Sequence, residues 1–182
     1  MLLNSPDGTA YTFPRWSPDG RSLVFTIEKY DVKAGQGIDY SNTPTGMAIS
    51  TWKIGAEPST IRPLTDFSMF SSYADWQPGG DLIVFDTYTP SVMHGEGVIN
   101  VWTVHSDGTR PTDLTGATWD GSGWAEPTWS PDGRQIIMTV VQRGLGNKSL
   151  ALMNADGTGQ HPVILAKDGE YHARQARLRP GG

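Results

Sequence analysis

Thr128-Trp129-Ser130-Pro131-Asp132-Gly133-Arg134 reads as the corner between two β-strands. Serine suits the first position of the turn, proline presets φ at the second, and glycine closes it in a conformation costly for other residues. The apolar run Gln135 to Val141 follows at once, and a turn ending in glycine before such a run signals a hairpin. One copy would say little. The corner recurs, however, as Arg15-Trp16-Ser17-Pro18-Asp19-Gly20-Arg21 and as Asp75-Trp76-Gln77-Pro78-Gly79-Gly80-Asp81, with a worn copy at Arg177-Leu178-Arg179-Pro180-Gly181-Gly182. The copies stand about 50 to 60 residues apart, the length of a unit holding several short strands. A second mark falls inside each unit: Ser106-Asp107-Gly108-Thr109, Ala155-Asp156-Gly157-Thr158, and more loosely Gly55-Ala56-Glu57-Pro58. Two independent marks in a fixed order define a repeat.

Between the marks, each unit carries four strand-like segments. The first runs Thr12 to Trp16, Ser22 to Ile27, Met47 to Ile54 and Thr60 to Leu64. The second runs Tyr73 to Trp76, Leu82 to Tyr88, Val98 to Val104 and Arg110 to Leu114. The third runs Glu126 to Trp129, Gln135 to Val141, Ser149 to Met153 and His161 to Leu165. Pro63 suits an edge strand because proline cannot donate to a ladder. The second strands are apolar on both faces, as in Leu82-Ile83-Val84-Phe85, which fits a strand packed between sheets. No stretch sustains a 3.6-residue period with caps, so no helix is expected. Leu2 to Thr9 is similar to the second mark but stands too close to Trp16 to leave room for an outer strand and a linker.

Composition limits the partners. Hydrophobic residues at 37% and charged residues at 18% fit a folded chain rather than a disordered one. The 22 glycines and 13 prolines sit at turn positions instead of clustering. A net charge of −5 with no basic cluster argues against nucleic acid, whose phosphates need concentrated Lys and Arg. With no cysteine, disulfides and thiolate metal sites are excluded. No apolar run reaches membrane-spanning length, and Met1-Leu2-Leu3-Asn4 lacks the regions of a secretory signal.

The repeat resembles the PD40, or TolB-type, WD40-like β-propeller repeat: an aromatic, Ser-Pro-Asp-Gly-Arg, an apolar strand, and later an Asp-Gly turn before Leu-Thr. Trp16 to Arg21, Trp129 to Arg134, Asp107-Gly108, Asp156-Gly157, Leu64-Thr65 and Leu114-Thr115 carry the resemblance. Gln77-Pro78-Gly79-Gly80 and Arg179 depart from it. The resemblance implies an all-β propeller of four-stranded antiparallel blades; counting the units gives about three complete blades (residues 10–65, 71–115 and 124–166) plus partial blades at the ends, one of them at 171–182, in an incomplete ring. It further implies a module for protein contacts in the periplasm or outside the cell. Related propellers stand in front of the catalytic domain of prolyl-oligopeptidase-like serine peptidases, a second implication, with that domain lying beyond this chain. Because a ring needs about four blades or more, the chain reads as a piece of a longer protein. Alone, it is expected to self-associate through exposed blade edges.

Up-and-down topology sorts the loops. The tight marks fall on one face, and the long segments, 28–45, 66–72, 89–96, 116–125, 142–148 and 167–175, fall on the other, where binding residues concentrate. That face carries Tyr30, Tyr40, Phe67, Phe70 and Tyr171 as well as the candidates proper. The candidate binding residues are Tyr73, His94, Trp119, Asp120, Trp124, Glu126 and His172, serving a protein or peptide partner. Trp119 and Trp124 have a packing alternative, since large aromatics are mostly buried. Trp16, Trp76 and Trp129 are expected in the core on the same ground. Exposed Trp and Asp leave a carbohydrate-handling propeller as a third reading.

Catalytic readings fall away one by one. Asp19 and Asp132 are expected to bond their own turns rather than calcium or substrate. Their surroundings also fail the sialidase-type Asp-box, with Arg21 and Arg134 where glycine is needed. The histidines His94, His105, His161 and His172 show no metal spacing. Gly121-Ser122-Gly123 lacks a nucleophile-elbow context, and Gly35-Gln36-Gly37 is followed by no helix. The expectation is a non-catalytic module with no cofactor and no metal.

Overall fold

The computed structural model describes residues 8–33, 37–88, 98–116, 122–142 and 148–164. Strands among them form three separate antiparallel sheets of four strands each, ordered as in the sequence. The first holds β1 (Thr9–Trp16), β2 (Ser22–Lys29), β3 (Gly46–Lys53) and β4 (Arg62–Pro63). The second holds β5 (Ser71–Trp76), β6 (Leu82–Tyr88), β7 (Ile99–His105) and β8 (Thr112–Asp113). The third holds β9 (Ser122–Trp129), β10 (Gln135–Gln142), β11 (Lys148–Asn154) and β12 (His161–Ile164). The leading strands touch in succession, β1 against β5 and β5 against β9, so the sheets fan about a shared inner edge. The helical elements among the described residues are two single 3-10 turns, Pro58–Thr60 and Phe67–Met69.

The corners fold as their residues dictate. Ser17 Oγ donates to Asp19 Oδ1 at 2.6 Å and the Arg21 N–H donates to the same oxygen at 3.0 Å. Ser130, Asp132 and Arg134 repeat the arrangement at 2.6 and 3.1 Å. These donors hold both carboxyls below the usual aspartate range. The expected local role of the two aspartates is therefore what is seen. In the second sheet the left-handed residue falls one place earlier in the corner, at Gly79 with φ 70°, as a Pro-Gly type II turn requires. The Leu-Thr pairs also find their reason. Leu64 N–H donates to Ile49 O, and the Thr65 hydroxyl accepts from Ile49 N–H at 3.0 Å, which closes the outer edge of β3. Leu114 and Thr115 do the same for Val101 on β7.

Two apolar layers bind the sheets face to face. Val24 and Ile49 from the first sheet pack with Ala74, Ile83, Phe85 and Val104 from the second. Val84 and Val101 from the second pack with Trp129, Ile136, Met138, Ala151 and Met153 from the third. Alternate residues of β6 thus serve opposite neighbours, which explains its apolar character on both faces. A third cluster, Phe25, Ile27 and Trp52 with Tyr11 and Leu23, lies on the other face of the first sheet.

One expectation is overturned here. Trp129 is 4% exposed and Trp76 is half-buried, but Trp16 is 61% exposed. The three occupy the same place in the repeat, pairing with Ile136, Ile83 and Leu23 respectively. In the second and third sheets that place is covered by the preceding sheet. Among the described residues nothing precedes the first sheet, so Trp16 stays in solvent. Burial at this position belongs to the neighbouring blade, not to the corner itself.

Inter-sheet packing is tight enough to read at glycine. Gly157 has φ +84°, and a Cβ there would stand 2.6 Å from Leu114 O on the preceding sheet. Gly55 has the same φ and open space around it. Gly55→Ala is expected to cost about 1–2 kcal/mol from backbone conformation alone. Gly157→Ala should cost about 2–4 kcal/mol, the excess reporting the clash across the sheets. Urea denaturation of the two variants measures the difference.

Candidate functional site

The site grows from an irregularity shared by the three inner strands. Register breaks between Thr12 and Arg15 in β1, between Ser72 and Asp75 in β5, and opposite Ile137 to Thr139 in β9. At each break a non-glycine residue takes a left-handed backbone: Phe13 at φ 52°, Tyr73 at φ 49° and Glu126 at φ 54°. Each lies three residues before the corner tryptophan. Such backbone costs on the order of 1–3 kcal/mol and persists where the surroundings enforce it. Two of the candidates named from sequence, Tyr73 and Glu126, are therefore equivalent positions in successive sheets, and Phe13 completes the set. The Phe13 and Tyr73 rings stack with centroids 4.1 Å apart.

At the Glu126 break the partners are carboxyls of the second sheet. Asp86 is fully buried; its Oδ1 accepts from Ser72 Oγ at 2.7 Å and its Oδ2 accepts from the Glu126 N–H at 2.8 Å. Burial pushes the Asp86 carboxyl up to about 7, against the opposing pull of these two donors. Asp75 Oδ2 accepts from Thr128 Oγ1 at 2.6 Å and from Trp129 N–H at 3.0 Å. Both aspartates thus tie the second sheet to the third through the strand that carries Glu126. Glu126 Oε2 in turn accepts from Thr139 Oγ1 at 3.1 Å.

On the long-loop face, between the first two sheets, lies a cavity of about 410 Å³. Phe13, Tyr73, Ser72 and Tyr88 line it from the strands, and Tyr30 with Tyr40 to Pro44 line it from the loop after β2. Glu28 forms part of its wall, with Oε1 accepting from Thr12 Oγ1 at 2.7 Å and Oε2 accepting from Tyr30 Oη at 2.6 Å. Tyr30 meets Tyr40 edge to face at 5.7 Å. The Glu28 carboxylate and burial together raise the Tyr30 hydroxyl well above the usual phenol range, burial being the larger effect.

Of the seven candidate residues, Tyr73 lines this cavity and Glu126 lies at the corresponding bulge one sheet further on. Trp124 is half-buried against the cluster that joins the second and third sheets. His94, Trp119, Asp120 and His172 lie outside the described residues, as does the partial blade at 171–182. Sequence reasoning missed Phe13, Glu28, Asp75 and Asp86. Aligning the repeats on tryptophan would have placed Phe13 with Tyr73 and Glu126. An acid directly after Leu82-Ile83-Val84-Phe85 was the available sign for Asp86. Among the described residues, no group of three or more His, Asp and Glu could hold a metal, and no helix is long and apolar enough to cross a membrane.

Separate four-stranded antiparallel sheets, stacked face to face with their first strands innermost, make this an all-β chain of β-propeller blades in an unclosed arc. No family profile matches the chain. It is 28% identical to the uncharacterized protein Atu1656 of Agrobacterium fabrum, over 66% of this chain and 52% of that protein. It is 27% identical to the uncharacterized peptidase YuxL of Bacillus subtilis, over 73% of this chain and 17% of the peptidase. Its fold superposes on a TolB-type protein from Agrobacterium tumefaciens with TM-score 0.62 and 20% identity, covering 92% of this chain and 53% of that one. The β-propeller domain of the trilobed protease from Pyrococcus furiosus matches with TM-score 0.57 and 11% identity, over 88% and 45% of the two chains. The chain thus spans about half the length of the Agrobacterium proteins it matches.

Proposed function

We propose that this chain is a non-catalytic interaction module, a TolB-like propeller segment that presents its long-loop face to a protein or peptide. The observation that carries the reading is the aromatic cavity between the first two sheets. Five aromatic rings converge there, Tyr40 being 69% exposed, on a face built of long loops over a rigid scaffold. A cavity of this size is ample for one or two peptide side chains. The TolB-like resemblance supports a periplasmic or extracellular setting. It also supports blades bounded near residues 10–65, 71–115 and 124–166. The solvent-exposed Trp16 at the corner of the first sheet supports self-association of the isolated chain. Light scattering should show concentration-dependent oligomers, and a monodisperse monomer would refute this.

Selection of random peptides on the immobilised chain tests the main reading. Binders should be recovered, and Tyr40→Ala should weaken them about tenfold, the loss of an exposed aromatic anchor. A panel of hydrolase substrates should show no turnover. Turnover removed by substituting His94, Asp120, Glu126 or His172 would overturn the non-catalytic reading.

The peptidase YuxL gives a second reading its support: a propeller that gates a serine peptidase domain lying elsewhere in the same gene. A Gly-x-Ser-x-Gly segment in an α/β-hydrolase context downstream of this sequence would favour it. An upstream secretory signal and small α/β domain would favour the TolB-like reading.

A further inference from the structure

We propose that the cavity between the first and second sheets receives a lysine or arginine side chain of its partner peptide. The proposal rests on the interaction-module reading and names the chemistry of that site.

Three observations point the same way. First, the wall contains a carboxylate with no counter-charge among the described residues. Glu28 is only 7% exposed, and its two oxygens accept from the hydroxyls of Thr12 and Tyr30. Neutral donors orient a carboxylate but leave its charge uncompensated. Among the described residues no Lys, Arg or His forms an ion pair with it. The adjacent cation, Lys29, is turned away, its Nζ lying 3.8 Å from the Phe67 ring centroid. Second, among the described residues no Lys, Arg or His lines the cavity. Third, five aromatic rings share the wall, Phe13 stacked on Tyr73, Tyr30 against Tyr40, and Tyr88, beside Met47, Pro44 and the uncharged polar Ser41, Asn42, Thr43 and Ser72.

Competing occupants fare worse on physical grounds. An anionic side chain would meet Glu28 in a partly desolvated setting, where like charges repel strongly. A neutral apolar side chain would bury ring surface but would also strip water from Glu28 and leave it with no added partner. A cation gains from both features at once. Aromatic faces attract it through their quadrupoles, and a charge-assisted hydrogen bond to Glu28 replaces the water it loses. The left-handed backbone at Phe13 and Tyr73 holds two of the rings at fixed height, so little ordering remains to be done on binding.

The test uses the whole chain, immobilised, and a random heptapeptide library. Recovered peptides should be enriched in Lys or Arg at one position. Replacing that residue by Gln in the strongest binder should weaken binding to wild type about tenfold or more, in line with the combined aromatic and ionic contact. Glu28→Gln, which is isosteric and can still bond Thr12 and Tyr30, should bind the charged and Gln peptides alike. Its thermal midpoint is read beside wild type to show that it folds. Should it not fold, Tyr40→Ala serves instead, since that side chain is largely in solvent; it should reduce the charge preference. Recovered peptides with no cationic bias, or a Gln peptide that binds wild type as well as its parent, would overturn the cation assignment while leaving the interaction-module reading in place. A library that yields no binder at all would overturn both.

Discussion

Trp129→Ala is expected to lower the unfolding free energy by about 3–5 kcal/mol, whereas Trp16→Ala should change it by about 0.5 kcal/mol or less. The two residues close identical corners, Trp-Ser-Pro-Asp-Gly-Arg, so no local property separates them. What separates them is the neighbouring sheet. Trp129 packs with Val84 and Val101 across the gap and with Ile136 and Met138 on its own sheet. Removing the indole leaves a cavity in a layer whose other members are almost wholly excluded from solvent. Trp16 sits at the same place with more than half its surface in water. Denaturant unfolding of both variants beside wild type measures the contrast. Equal losses would mean that the corner tryptophan stabilises its own turn, and the face-to-face packing of sheets would lose its main support.

The second large effect is at Asp86, and it depends on pH. The folded protein holds this carboxyl protonated up to about pH 7, because burial penalises the charge. In the unfolded chain an aspartate releases its proton near about pH 4. Between those values the folded state binds more protons, so stability should fall as pH rises and be fully present only at the acid end. The total change is on the order of 4 kcal/mol for a gap of roughly three pH units. The turn aspartates act in a separate window. Asp19, Asp107, Asp132 and Asp156 are held below the usual range, by Ser17 and Ser130 at the corners and by Thr109 and Thr158 at the second marks. Their contribution is present above the unfolded value and is lost only as pH drops through the depressed one.

Two substitutions separate charge from hydrogen bonding at Asp86. Asp86→Asn can accept from the Glu126 N–H and donate to Ser72 Oγ, so it mimics the protonated acid. It should abolish the slope between pH 4 and 7 and match or exceed wild-type stability at pH 8. Asp86→Ala leaves Ser72 and the Glu126 N–H without their partner and should cost about 2–4 kcal/mol at any pH. Thermal midpoints across that range decide the matter. An Asn variant that keeps the slope would place the titration elsewhere.

Much of this architecture could be read from the repeat, and its misreadings share a cause. The bounds expected from sequence for Leu82–Tyr88 match the strand, because its pleat runs without interruption against β7. The three inner strands start earlier than the sequence pattern predicts, at Thr9, Ser71 and Ser122 rather than at Thr12, Tyr73 and Glu126. Each contains a left-handed bulge, and one extra residue inverts the alternation on which a period-2 reading rests. The feature that hid the strands is the one that builds the site. Edge strands β4 and β8 shrank to two residues because the Leu-Thr pair, using a threonine hydroxyl, takes over the outer bonds. Glu28 and Asp86 are hard to read for another reason: each is an acid within an otherwise apolar strand, and only the fold shows which face of the sheet it serves. Trp16 departs from its expected burial because burial there is decided by a neighbour that the corner sequence does not encode.

A crystal structure of the chain tests the central claim most directly, that the repeats fold as separate sheets stacked about a shared inner edge. It should show β1, β5 and β9 innermost, with Trp129 against Val84 and Val101, Phe13 stacked on Tyr73, and no backbone ladder joining β4 to β5 or β8 to β9. A continuous hydrogen-bonded sheet through either of those junctions would contradict it.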